Sequence, residues 1–308
     1  MMRMTTRMIR SVISNDRCSV LFWDVDKPIN TDMPAVIKAT AIQMASGPNV
    51  DANLLEVQRL VAQASREGSR LVVLPENFAY MGHRCTDIWS VKESAGHGKL
   101  QDFLRDLARK HDLWIVGGTI PVSVEGSDKV RSACFVIDNN GEVAGRYDKL
   151  HLFDVNLVDV EENYKESSAI EPGDTPLVVE TPLGNIGVGV CYDLRFPELF
   201  RSMLTLKPDI IALPSAFTAV TGRAHWEPLV RARAIENLCY VIAAAQGGYH
   251  VSGRETWGHS MIVDPWGTVL CELPNGAGHV SADLDIDLLR TTRRNFPSLD
   301  HRRIRCQL

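Results

Sequence analysis

The sequence predicts an α/β fold in which two βαβ-rich halves stack sheet against sheet, with helices on the outside. Three observations predict it. Strand-like apolar runs alternate with amphipathic helical segments along most of the chain. The same order of elements recurs in the second half, with two local sequence matches. Runs such as Ile210-Ile211-Ala212-Leu213 show little polar alternation, as strands covered on both faces do.

Residues 36–44 read as the first strand. In residues 51–67, Leu54, Val57, Leu60, Val61 and Ala64 fall on one helical face, and Gly68 closes the helix. Strand 70–76 follows. A second amphipathic helix spans 99–111 through Leu100, Phe103, Leu104 and Leu107, and strand 113–120 comes next. Strands 133–138 and 142–149 flank Asn139-Asn140-Gly141, a hairpin turn. The second half gives strands 177–180 and 186–191, a helix near 197–206, strand 209–214, a helix through 225–238, strand 240–245 and a hairpin at Asp264-Pro265-Trp266-Gly267. Residues 70–78 parallel 209–217, and 135–143 parallel 261–269, which supports an internal duplication over convergent strand chemistry. No Gly-, Pro- or Ser-rich linker separates the halves, so residues 34–308 are read as one domain.

At 308 residues the chain is long enough for an ample core, and its hydrophobic content of 45% is that of an ordinary globule. No apolar run approaches a bilayer span. A net charge of -5 and the lack of a basic stripe with interleaved aromatics argue against nucleic acid. The 7 cysteines are scattered, with no CxxC, which fits a reducing compartment and argues against a zinc site. Residues 1–33 differ: Arg3, Arg7, Arg10 and Arg17 occur among Ser and Thr, and no acid precedes Asp16. Two readings stay open there, a mitochondrial presequence and a plain disordered extension. Met33 offers an internal start, so the expected location is cytoplasmic, with a mitochondrial form if the extension is a targeting segment.

The most informative stretch is Gly187–Glu198. An apolar run climbs to Cys191, a polar turn follows, and Pro197 starts a helical segment. That places a thiol at the carboxyl end of a strand beside a helix amino terminus, where open α/β sheets hold ligands and where thiolate is favoured. An arbitrary cysteine is more often structural; Glu76, ending another strand, and Lys149, in a third, change that balance. A thiol attacks an acyl carbon as thiolate, so it needs a base. Glu76 after Pro75 is one candidate, since a carboxylate in an apolar setting can shuttle protons near neutrality. His151 is the other, by analogy with Cys-His hydrolases. Lys149 would be a cation over a developing oxyanion, a role in which one donor is worth roughly 10²–10³ in rate. If the strand continues past it, Tyr147, Lys149 and His151 share one face.

Leu74-Pro75-Glu76, Tyr147-Asp148-Lys149-Leu150-His151-Leu152-Phe153 and Val190-Cys191-Tyr192-Asp193-Leu194-Arg195-Phe196-Pro197-Glu198 together resemble the Glu-Lys-Cys signature of the nitrilase superfamily, over about residues 36–303. Residues 214–218, 221–227, 231–237 and 257–267 narrow the resemblance to the Nit branch. The resemblance implies a four-layer αββα sandwich that assembles into homodimers or higher homo-oligomers. It implies a cysteine amidase, with Glu76 as general base and acid, Lys149 stabilising the oxyanion and Cys191 as nucleophile. A second active-site glutamate is expected downstream of the lysine; Glu166 matches best, with Glu161 and Glu162 as substitutes, because the segment between Asp154 and Asn163 departs from the family pattern. Tyr192, Arg195, Ser215 and Thr218 are the expected substrate contacts, and Arg195 and Arg223 are candidate partners for an anionic end. The chemistry requires no metal or organic cofactor. Two small-molecule substrates fit the branch: deaminated glutathione, giving α-ketoglutarate and cysteinylglycine, and α-ketoglutaramate, with residues 240–248 resembling the enzymes of the first. A nitrile hydrolase, a thiol acyltransferase and a catalytically weak interaction protein on the same fold are the other readings.

Overall fold

The computed structural model describes residues 34–157 and 162–304. The basic extension 1–33, with Cys18 and Met33, lies outside the described residues, as do Glu161 and Cys306. The first half runs β1 (Val36–Gln43), α1 (Val50–Arg66), β2 (Leu71–Val73), α2 (Lys99–His111), β3 (Trp114–Val116), β4 (Ile120–Ser123), β5 (Val130–Ile137) and β6 (Val143–Asp148). A small hairpin follows, β7 (Asp154–Leu157) and β8 (Glu162–Lys165). The second half runs β9 (Leu177–Val179), β10 (Ile186–Val188), α3 (Pro197–Ser202), β11 (Ile210–Ser215), α4 (Ala219–Asn237), β12 (Tyr240–Ala245), β13 (Gly247–Tyr249), β14 (Glu255–Trp257), β15 (Ser260–Val263) and β16 (Val269–Leu273). β17 (Gly278–Asp285) and α5 (Ile286–Asn295) are the last elements of the described chain.

The helices form where local chemistry supports them. Asn49 caps α1 by accepting from Ala52 N at 3.1 Å, and Leu54, Val57, Leu60, Val61 and Ala64 are all buried. α2 buries Leu100, Leu104 and Leu107, and the Glu93 carboxylate accepts from its first turn at Leu100 N, 2.5 Å. α4 starts at Ala219, six residues before the expected 225. The Thr218 hydroxyl accepts from Thr221 N and starts the helix inside a stretch whose Thr and Gly read as loop.

Two sheets result. One has the order β17-β1-β2-β3-β5-β4, with β6 also paired to β5; the other is β16-β15-β12-β11-β10-β9. Alternate side chains of the first sheet go to different layers. Ile37, Ala39, Leu71, Val73, Trp114, Val116, Cys134 and Val136 join the core shared with the second sheet. Ile42, Val72, Ile115, Phe135 and Ile137 pack with α1 and α2. On the second sheet, Phe200 of α3 and Trp226, Val230 and Ala234 of α4 join the core. The layers are therefore helix, sheet, sheet, helix, and each fully buried Val, Leu or Ile contributes about 1.5–3 kcal/mol.

The duplication appears in the topology. β17-β1-β2-β3-β5-β6 and β9-β10-β11-β12-β15-β16 have the same sequence of antiparallel, parallel, parallel, antiparallel and antiparallel pairings. The register slips between Val136 and Ile137 in one hairpin and between Ile262 and Val263 in the other, which are matched positions. Both turns are built alike. Asp138 accepts from Asn140 N and Glu142 N, and Asp264 from Trp266 N and Thr268 N. The edge strand beside β1 comes from the far end of the chain, so the first sheet is complete only when β17 returns.

Several strands are shorter than expected. β2 stops at Val73 and β10 at Val188, because the chain turns toward the site at Pro75 and at Cys191. Expected strand 113–120 is two strands, broken at Gly117-Gly118, where Gly118 has φ +57. Strand 142–149 stops at Asp148, so Lys149 and His151 are not part of a continued strand face. Hairpins β7–β8 and β13–β14, strand β17 and helix α5 had no clear sequence signal. Among the described residues no helix is long and apolar enough to cross a membrane.

The paired turns give a test. Gly141 and Gly267 both hold positive φ, +81 and +88. A Cβ at Gly141 would sit 2.7 Å from the Arg105 carbonyl, whereas at Gly267 it would meet only the Ile235 side chain, 2.6 Å away. Both Gly→Ala changes incur backbone strain, of order 1 kcal/mol. Gly141→Ala is expected to cost about 1 kcal/mol more than Gly267→Ala, because backbone cannot swing aside as a side chain can. Urea unfolding midpoints at unchanged m check this.

Candidate active site

The expected residues converge at the carboxyl ends of β2, β6, β10 and β11. Glu76 lies three residues past β2 and Cys191 three past β10; Lys149 directly follows β6, and Glu166 directly follows β8. Lys149 is 2% exposed and its Nζ donates to Glu76 Oε1 at 2.7 Å and to Glu166 Oε1 and Oε2 at 2.8 and 2.9 Å. Glu166 Oε2 also accepts from Phe153 N at 2.6 Å. The structure thus puts Glu166 on the lysine. Asp154–Leu157 and Glu162–Lys165 pair as the β7–β8 hairpin, whose return strand delivers Glu166.

Glu76 is held through its backbone. Gln246 Nε2 donates to the Glu76 carbonyl at 2.9 Å and to Ser46 Oγ at 2.8 Å, and Ser46 N donates back to Gln246 Oε1 at 3.0 Å. This network ties the ends of β1, β2 and β12 together across the sheets. Cys191 is buried and adopts φ +50, a left-handed conformation that costs a non-glycine residue about 1–3 kcal/mol. Ala216 N donates to its Sγ at 3.5 Å.

Asp193 holds that strained turn, and its part was not legible in the sequence. Fully buried, it accepts from Val190 N at 2.8 Å, Tyr147 Oη at 2.6 Å and His151 N at 3.0 Å, with His151 Nδ1 at 2.7 Å. It therefore fastens the chain around Lys149 to the turn around Cys191. His151 is committed to this anchor: its ring stacks on Phe196 at 3.7 Å and is not in the cavity. A Cys-His arrangement is not built, because Asp193 and Phe196 hold the imidazole away from the thiol.

Charge explains the resting state. Burial pushes the Cys191 thiol well up, and Glu76 pushes the same way; Lys149 and the Ala216 N–H pull down by less. The expectation that a helix start would hold a thiolate is corrected here. The turn at Cys191–Arg195 is a five-residue 3₁₀ segment with a carboxylate beside it. Burial alone would lower the Lys149 ammonium, but Glu166 and Glu76 overcome it and hold it well above its usual value. Burial and Glu76 raise Glu166, against the pull of Lys149.

The cavity beside Cys191 is lined by Tyr192, Arg195 and Thr218, as expected, and also by Phe153, Tyr164, Phe217, Thr221, Cys85 and Arg254, which sequence reasoning missed. Ser215 is not at the cavity: it is fully buried, and its hydroxyl donates to the Leu213 carbonyl at 3.3 Å. Arg223 is exposed on α4, over the Trp257 ring at 5.9 Å, and does not reach the cavity. Among the described residues no group of three or more His, Cys, Asp or Glu is disposed to hold a metal ion.

The opposing influences on the thiol give a prediction. Thiolate forms as pH rises, so at fixed pH the rate of modification of Cys191 by a small neutral thiosulfonate reports its ionisation. Glu76→Gln removes an influence that raises the thiol and is expected to speed modification. Lys149→Met removes one that lowers it and is expected to slow it. Peptide mass spectrometry of the Cys191 fragment across pH separates it from Cys85 and Cys271; the same direction for both variants would contradict the electrostatic assignment.

Comparison with known proteins agrees with this geometry. The carbon-nitrogen hydrolase family model matches residues 38–294. The deaminated glutathione amidase of Yersinia enterocolitica is 40% identical over 263 residues, 85% of this chain and 91% of that protein. That of Synechocystis is 41% identical over 267 residues, 86% of this chain and 97% of that protein. The crystal structure of Saccharomyces cerevisiae Nit3, a member of branch 10 of the nitrilase superfamily, superposes with a TM-score of 0.80 at 30% identity, covering 90% of this chain and 100% of Nit3. A family model across most of the chain, relatives near 40% identity along almost their whole length and a shared four-layer fold establish that the chain belongs to the carbon-nitrogen hydrolase family.

Proposed function

We propose that the protein is a cysteine-dependent amidase that hydrolyses deaminated glutathione to α-ketoglutarate and cysteinylglycine. The observation that carries the chemistry is the buried Lys149 ammonium, bridged by two glutamates, beside a buried neutral thiol. The substrate follows from relatives near 40% identity that are named for it.

Glu76 takes the Sγ proton of Cys191 as sulfur attacks the amide carbon. The carbonyl π pair moves onto oxygen. Lys149 gives one N–H to Glu76 and shares one across both Glu166 oxygens; its third N–H and the Tyr192 backbone N–H serve the oxyanion. Glu76 returns the proton to the amide nitrogen, the C–N bond breaks and cysteinylglycine leaves. A thioester of α-ketoglutarate remains on Cys191. Glu76 then takes a proton from water, hydroxide attacks the thioester, and collapse releases α-ketoglutarate. Glu76 reprotonates the sulfur. One water is consumed and no redox step occurs. Glu166 keeps Lys149 charged and oriented throughout.

With α-ketoglutaramate the same acyl-enzyme would form and ammonia would leave, so the two substrates differ only in the departing half. A steady-state comparison of both, each beside a Cys191→Ala control, tests the proposal. A kcat/KM about 100-fold higher for deaminated glutathione is expected, a transition-state preference of about 2.7 kcal/mol. The reverse preference would make α-ketoglutaramate the substrate, and undiminished turnover by Cys191→Ala would overturn the mechanism.

A further inference from the structure

The fold pairs many of its arginines with carboxylates. Arg59 meets Glu56, Arg131 meets Glu171, Arg146 meets Asp148, Arg233 meets Glu236 and Arg293 meets Asp209. The two arginines that line the cavity, Arg195 and Arg254, make no ion pair among the described residues. The cavity's own carboxylates, Glu76 and Glu166, are both taken by Lys149. Arg195 is packed against the Phe217 and Tyr192 rings at 5.1 and 5.8 Å, with Nη1 3.1 Å from His225 Nδ1.

Arg254 is the less expected of the two. It stands over the Tyr164 ring at 5.2 Å, and its Nη2 donates to the Ala216 carbonyl, on the residue whose N–H points at the Cys191 sulfur. Its Nε is buried with no hydrogen-bond partner among the described residues. A guanidinium has five donors, and a buried N–H left without an acceptor is costly, which favours an arriving carboxylate. The arginine sits at the end of a hairpin that is nonetheless fixed. His250 N donates to the Arg254 carbonyl at 2.9 Å. His250 Nδ1 lies 2.9 Å from the Ser46 carbonyl and must donate to it; Nε2, 2.8 Å from Thr256 Oγ1, then accepts. Burial lowers the basicity of this imidazole, which suits that neutral tautomer.

The two cations come from different parts of the chain. Arg195 is on the same turn as Cys191, where the acyl half becomes attached. Arg254 stands on the Tyr164 side, near Glu166 and Cys85. We propose that Arg254 binds a second carboxylate, the one on the leaving-amine half of the substrate, so that the site selects amides carrying an anion at each end. This rests on the proposed amidase function and extends it: deaminated glutathione has both anions, and α-ketoglutaramate has only the acyl one.

The test compares deaminated glutathione with the same compound bearing a carboxamide in place of its glycine carboxylate. The wild-type protein is expected to prefer the free acid by about 30-fold in kcat/KM, the scale of one charge-assisted bidentate contact. Arg254→Gln is expected to bring that ratio near one, and Arg254→Lys to restore part of it. A purely structural arginine would lower both activities together and leave the ratio intact, which would overturn the proposal. If the wild-type protein turned over neither compound, the amidase reading would fall instead. Calorimetric titration of Cys191→Ala protein with both compounds then decides the Arg254 assignment. Tighter binding of the free acid, abolished by Arg254→Gln, supports it; equal binding, or none, overturns it.

Discussion

The site depends on one buried ammonium. Lys149 is almost wholly removed from water, and an isolated charge there would be prohibitively costly, by several kcal/mol even after relaxation. Two glutamates from distant parts of the chain make it tolerable, 73 and 17 residues away in sequence. Neither carboxylate would be well placed without the lysine. The fold therefore has to deliver three strand ends to one point before any of the charges is stable there. Gln246 on the Glu76 carbonyl, Phe153 N on Glu166 and Asp193 between the Lys149 and Cys191 segments are the contacts that deliver them. The same charges set the thiol. Burial and Glu76 outweigh Lys149 and hold the Cys191 thiol above its usual value, so in the proposed mechanism sulfur becomes nucleophilic as Glu76 removes its proton.

Duplication explains where the site is. The two sheets share their strand order and pairing directions, and matched hairpins carry the same bulge and the same Asp-anchored turn. Yet the matched segments differ where β2 and β11 give way to the site: Leu74-Pro75-Glu76 follows β2, and Leu213-Pro214-Ser215 ends β11. Ser215 turns its hydroxyl back to its own strand, while Glu76 reaches Lys149. A common scaffold places both positions at a strand's carboxyl end, and the side chain decides which becomes chemistry.

The fold was legible wherever burial imposed a period. α1 and α2 were readable because one face of each is buried; the expected apolar residues form that face, with Phe103 only partly buried and Gln101 and Ala108 added to it. The hairpin turns were readable because Asp and Gly occur at fixed offsets. Glu76 and Cys191 could be found because each sits just past an apolar run, and Lys149 through the motif Tyr147–Phe153 that contains it. What was missed has no such signal. Asp193 acts through four contacts from three segments, and Arg254 lies in a polar hairpin remote in sequence from the other cavity residues. Ser215 and Arg223 misled because strand end and charge do not reveal which way a side chain points. β17 was obscured because its partner is β1, at the other end of the chain.

The claim most central to this account is that Cys191 carries the acyl group in a thioester. Rapid acid quench of the protein during turnover, followed by peptide mass spectrometry, tests it most directly. The account predicts one α-ketoglutaryl adduct, on the Cys191 peptide, with the same mass from deaminated glutathione and from α-ketoglutaramate. Turnover with an adduct on another residue, or with adducts of different mass from the two substrates, would contradict it.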